Sequence, residues 1–131
     1  MNSVGVEKIF YKNILAAIRV KALPKGSVPV TSDAEFLQLL TLKHKKGYQI
    51  KPHAHISKRR ITKMLQECLV VRRGKIRVDF YAPNKKIFKY VYVKAGEALI
   101  ILRGGHGVRV MQDAEIFELK NGPFVDDKVF I

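Results

Sequence analysis

Hydrophobic positions in this chain recur every second residue over short runs, the period of strands with one buried face, and little of the sequence follows the longer period of a helix. Lys75-Ile76-Arg77-Val78-Asp79-Phe80 alternates cleanly, placing Ile76, Val78 and Phe80 on one face and charges on the other. Glu67 to Val71 is β-rich and is expected to join that strand through a hairpin turn at Arg72-Arg73-Gly74. Turn residues at Ala82 to Lys86 and Lys94 to Glu97 bracket a strand over Ile87 to Val93. Ala98 to Leu102 reads as a fully apolar strand broken by Arg103-Gly104-Gly105. Gly107 to Met111 and Ile116 to Lys120 read as two more, ended by Asn121-Gly122-Pro123. Glu35 to Leu42 is read as a strand cut short by Lys45-Lys46-Gly47, and Lys8 to Lys21 suits a helix or an extra strand. The sum is an all-β fold, an antiparallel sandwich or barrel, in which distant segments converge on a shared interior.

Composition narrows this to one core. A chain of 131 residues has room for a single domain that buries roughly two thirds of its unfolded surface. With 47% apolar and 27% charged residues, no window approaches a membrane-spanning helix. Met1 to Gly5 lacks the basic and apolar order of a secretory signal, so a cytoplasmic location is expected. Cys68 is the only cysteine, which excludes an internal disulfide.

The formal charge of +14 attracts anions. Its carriers, among them Lys43-His44-Lys45-Lys46, Lys58-Arg59-Arg60, Arg72-Arg73 and Lys85-Lys86, are spread along the chain. No helix-turn-helix, zinc-finger or aromatic RNA-binding signature accompanies them, so the expected partner is a small phosphorylated or carboxylated molecule and not nucleic acid.

The residues with the most chemistry are His53-Ala54-His55, Glu67 and His106. On a strand, His53 and His55 share one side. Glu67 is in phase with Leu69 and Val71, and His106 with Val108 and Val110, so both are expected to face the interior, where an unpaired carboxylate is costly. Three imidazoles and one carboxylate suit one divalent transition metal, Zn, Fe, Mn, Ni or Co, with positions open for water or substrate. Cys68 has the opposite phase and stays outside this set, and His44, flanked by lysines, reads as solvated. Arg59 and Arg60 are candidates for gripping an anionic substrate in the forked manner of guanidinium, and Tyr48 for lining its pocket. No general base is identified, so the catalytic residues stay unassigned.

The spacing of these residues resembles the cupin superfamily of small jelly-roll barrels. Gly47 is followed after five residues by His53-Ala54-His55, then by Glu67 and, six residues on, by Gly74, as in the first cupin motif. The spacer Ile56 to Gln66 is longer than the family's usual three or four residues. The second motif is matched by Gly96, Gly104 and His106, with Leu102 where proline is usual and Val110 where asparagine often stands. The resemblance covers about Gly26 to Lys120 and implies a single-domain cupin-type jelly-roll β-barrel over residues 26–131, preceded by an amino-terminal extension, residues 1–25, that supplies an extra strand or a dimer contact. Glu118 to Phe124 followed by Asp127-Lys128 is similar to the tail of small cupins encoded among cell-surface polysaccharide biosynthesis proteins. It implies a homodimeric, metal-binding protein acting on a sugar or nucleotide-sugar as an isomerase or epimerase. The alternative is a non-catalytic cupin that binds or senses a small ligand.

Overall fold

The computed structural model describes residues 4–131, so Met1 to Ser3 of the start read above lie outside the described residues. Eight strands run in the order β1 (Val6–Tyr11), β2 (Ile14–Val20), β3 (Gly26–Pro29), β4 (Leu40–Lys43), β5 (Glu67–Tyr81), β6 (Ile87–Lys94), β7 (Ala98–Ile101) and β8 (Gly105–Lys120). All pairings are antiparallel. No helix among the described residues is long and apolar enough to cross a membrane. The all-β expectation is therefore met.

Lys8 to Lys21, open between helix and strand in the sequence, is the β1–β2 hairpin, turned at Lys12 with a positive φ of 53°. It is integral to the main sheet, since β2 pairs with β7 and Ile9, Ala17, Ile18 and Val20 are buried in its core. β1 forms one edge of that sheet. Glu35 to Leu42 is a strand only from Leu40 onward. Its earlier residues form bends whose Leu37 and Leu39, with Val30, pack on Ile18, Cys68, Ile100 and Leu102 and close one face of the sheet.

One expected turn and one expected break between strands are absent, and their absence shapes the molecule. Arg72-Arg73-Gly74 does not end a strand: β5 is continuous over 15 residues and β8 over 16. β8 runs along one side of β5, while β7 and then β6 pair along the other. Between Val71 and Ile76 the register shifts, these six residues of β5 passing opposite the seven from Val110 to Ile116. An extra residue in one strand bends it and moves its side chains to the other face. Leu69 and Val71 before the bulge, and Ile76, Val78 and Phe80 after it, consequently occupy one core with Leu99, Ile101, Val91 and Val93. Gly74 sits at the kink with φ of 83°, its backbone against the Asp113 carbonyl. At that spot a side chain has neither the torsion nor the space.

Candidate functional site

The kink determines which chemistry meets. Along the β5–β8 ladder Glu67 is opposite Lys120 and Phe80 is opposite His106. On a flat sheet the 13 residues from Glu67 to Phe80 would span roughly 40 Å. In the curled sheet Glu67 Oε2 lies 3.4 Å from His106 Nε2. Both belong to the core-facing register, as their phase predicted, and their side chains, 15% and 26% exposed, are half-buried.

Glu118, two residues from Lys120 on the same side of β8, completes the group. Burial pushes the Glu67 carboxyl up to about 7, and a hydrogen bond to the Glu118 side chain and its charge add to the rise; Lys120 and Lys128 oppose it. Burial also lowers the pKa of His106, against the pull of Glu118. Both shifts favour neutral forms, so near neutral pH the 3.4 Å approach is weighted toward a carboxyl beside an uncharged imidazole instead of an ion pair. A carboxyl that gains and loses its proton near neutral pH beside an uncharged imidazole is a pair equipped for proton transfer.

The raised carboxyl has a measurable consequence for stability. The folded chain holds this proton more tightly than the unfolded one, so the stability it contributes is present below pH 4.5 and lost as pH rises through about 7. Glu67→Gln is expected to remove that decline. Denaturant unfolding of both proteins at intervals from pH 4 to 8 checks it; parallel profiles would show an ordinary carboxyl.

His53 and His55 are elsewhere. They lie in the irregular, exposed stretch from His44 to Leu65, with ring centroids 5.2 Å apart and His53 Nδ1 2.7 Å from the Lys51 carbonyl. This corrects the expectation that they share a strand: the segment has no partner strand to hold it extended. The four expected ligands thus form two separate pairs, Glu67–His106 and His53–His55. Among the described residues no three His, Cys, Asp or Glu side chains are grouped to hold a metal. A catalytic transition-metal site takes about three protein ligands, so the donor set as placed does not fit the expected ion and no chemical step is assigned to one.

Of the expected substrate residues, Arg59 and Arg60 are exposed in the same stretch, Arg60 reaching only the Lys58 carbonyl at 3.5 Å. Tyr48 stacks on His44, centroids 3.8 Å apart, beside a cavity of about 510 Å³ that Lys25, Lys43 and Lys45 also line. His44 is exposed, and its Nε2 is 2.8 Å from Ser27 Oγ. Cys68 is buried on the face opposite Glu67, and burial pushes its thiol up to about 11, which leaves it unreactive.

The sequence reading missed Glu118 and Lys120, although both share the even phase of His106 along β8. It also missed a second cavity of about 300 Å³ lined by Arg19, Lys21, Lys75, Tyr92, Lys94 and Glu97. These come from four separate segments, and no local pattern unites them. No family model, curated protein or solved structure matches this chain.

Proposed function

We propose that the chain is a barrel-type protein of the cupin kind, to which its sequence motifs are similar, and that its concave face binds a small anionic molecule and moves a proton on it. The observation supporting this most is the 3.4 Å approach of Glu67 and His106, two half-buried groups whose pKa values are displaced toward neutral forms. In this reading Glu67 gives or takes the proton, His106 accepts or positions it, and Lys120 and Lys128, whose charges act on both groups, offset the charge of the ligand. A sugar phosphate or nucleotide-sugar fits the resemblance to polysaccharide-locus cupins, and exchange of a proton next to a carbonyl is a chemistry that isomerases and epimerases use. β1, at the sheet edge, offers the backbone groups through which a second copy would pair.

The test is solvent deuterium incorporation into a panel of sugar phosphates and nucleotide-sugars, followed by NMR, alongside calorimetric binding. Wild-type protein is expected to incorporate deuterium into one of them, and Glu67→Gln or His106→Ala to slow this by about 100-fold or more, the usual worth of a positioned acid or base. Binding without exchange would identify a sensor instead of an enzyme. No binding, or exchange unaffected by both variants, would overturn the assignment.

The same preparation tests the metal. If the two pairs stay apart, chelation leaves ligand binding intact and elemental analysis finds well under one transition-metal equivalent per chain. One equivalent, lost from the double variant His53→Ala with His106→Ala, would establish that the four donors do gather.

A further inference from the structure

The face of β5, β6 and β8 that points away from the core carries a different chemistry. Because Ile76, Val78 and Phe80 face inward, Lys75, Arg77 and Asp79 face outward. Their partners across the ladders are Lys94, Tyr92 and Tyr90 on β6, and Arg109 opposite Arg77 and Gly107 opposite Asp79 on β8. Asp79 is nearly inaccessible, and its carboxylate holds Arg77 Nε at 2.7 Å and Arg109 Nε at 3.4 Å. Arg77 stacks on the Tyr90 ring at 3.9 Å and Lys75 on the Tyr92 ring at 4.5 Å. Tyr90 and Tyr92 meet edge to face at 5.7 Å and stay 49% and 37% exposed. The basic cavity of about 300 Å³ continues this face through Lys75, Tyr92 and Lys94 to Arg19 and Lys21.

Two part-exposed aromatic rings held edge to face, each with a cation over one face, offer what a single strand of nucleic acid requires: exposed ring surface on which bases stack and a positive track for its phosphates. A protein interface would leave these cations to be desolvated, whereas a polyphosphate chain would use the charges and not the rings. The geometry points to single-stranded nucleic acid as the occupant of this face, with Tyr90 and Tyr92 stacking bases and Lys75, Arg77, Lys94 and Arg109 facing the backbone. The overall charge of +14 steers the same partner.

Fluorescence anisotropy with labelled ten-nucleotide oligo(U) and oligo(dT) tests it, on full-length protein at 50 to 300 mM salt. Four phosphate contacts predict that log affinity falls with log salt at a slope of about −3. Tyr90→Leu and Tyr92→Leu, which keep apolar bulk on a strand, are expected to weaken binding by about 5- to 100-fold each, and the phenylalanine variants to restore it. Lys51→Ala with Lys58→Ala, in the exposed stretch, should change it less than twofold. A preference between the two oligonucleotides, which differ in the sugar and in the base methyl group, would show that one of these is read; equal binding supports stacking that ignores both. The proposal is overturned by no binding at 50 mM salt, by leucine variants that bind as wild type does, or by inorganic polyphosphate competing as well as oligo(U).

Discussion

Replacing Gly74 with alanine is expected to lower the melting temperature by about 12–20 °C, the largest effect of any single methyl in this chain. The new Cβ would fall on the Asp113 carbonyl oxygen, with the carbonyl carbon at 2.7 Å and the Ala114 Cα at 2.9 Å. All three are backbone atoms of the paired strand and cannot rotate aside. The φ of 83° adds strain that a non-glycine residue carries in the left-handed region. Strain of 1–3 kcal/mol and overpacking of similar size together come to about 4 kcal/mol, and each kcal/mol is worth roughly 3–5 °C in a domain of this length. The substitution acts on the Glu67–His106 pair through the same atoms, because the kink is what folds Glu67 back toward His106. In whatever fraction stays folded, the carboxyl should titrate closer to the ordinary 4.5 than to about 7. Thermal unfolding by circular dichroism, with carboxyl NMR at Glu67, checks both; a melting temperature within 2 °C of wild type would mean that β8 can yield at Asp113.

That kink also explains how far the sequence could be read. The apolar phase changes between Val71 and Ile76, from odd positions to even, and the change is plain in the residues. A turn and a bulge both produce it. Arg72-Arg73-Gly74 has the composition of a hairpin turn, and only the pairing of β8 along the whole length of β5, a contact between segments about 40 residues apart in sequence, distinguishes the two. Within each half the alternation was sufficient: it set Glu67 and His106 inward and Cys68 on the opposite face. It failed at His53 and His55, where spacing alone suggested a shared strand face but the flanking residues, from Lys43 through Lys63, offer few apolar side chains to bury. With nothing to pack, the segment has no register, and the motif spacing cannot place its imidazoles.

The outer face was illegible for a different reason. Lys75, Arg77 and Asp79 read as the solvent side of a half-buried strand, and Tyr90 and Tyr92 as β-formers. Both readings hold for the register, although Asp79 is buried beneath Arg77 and Arg109. Their combination into a charged, aromatic surface depends on cross-strand register, Arg77 opposite Tyr92 and Asp79 opposite Tyr90, which hairpin composition does not specify. The two faces of one sheet thus carry separate sets of side chains, a carboxyl–imidazole pair inside and cations with tyrosine rings outside, connected only through the strands that carry both.

Arg103→Ala is expected to cost about 3 kcal/mol, the second large effect, by stranding a carboxylate. Arg103 grips Glu35 with both terminal nitrogens, at 2.7 and 3.0 Å, and also donates to the Leu15 carbonyl at 3.1 Å. Gln66, almost fully buried, donates to the same carboxylate at 3.1 Å and accepts from the Leu37 backbone at 2.8 Å. The cluster fastens the Thr31–Leu39 stretch over the second core, so its loss loosens the cover above Cys68 and Ile100 as well. Removing one partner of a buried pair typically costs 3–5 kcal/mol; Arg103 is 36% exposed against 7% for Glu35, which places this case at the low end. The pH dependence separates charge from packing. Burial by itself would raise the pKa of Glu35, but the hydrogen bonds from Arg103 and Gln66 and the guanidinium charge outweigh it and leave it lowered. Stability from this pairing is therefore present above 4.5 and lost as pH falls through the lowered value. In Arg103→Ala burial dominates, the carboxyl prefers its proton, and acid neutralises the stranded charge. The gap between variant and wild type should consequently narrow below pH 4.5 and shrink at neutral pH in the double variant with Glu35→Gln. A gap that stays constant from pH 3.5 to 7, or that is below 1 kcal/mol, would show that the guanidinium contributes packing alone.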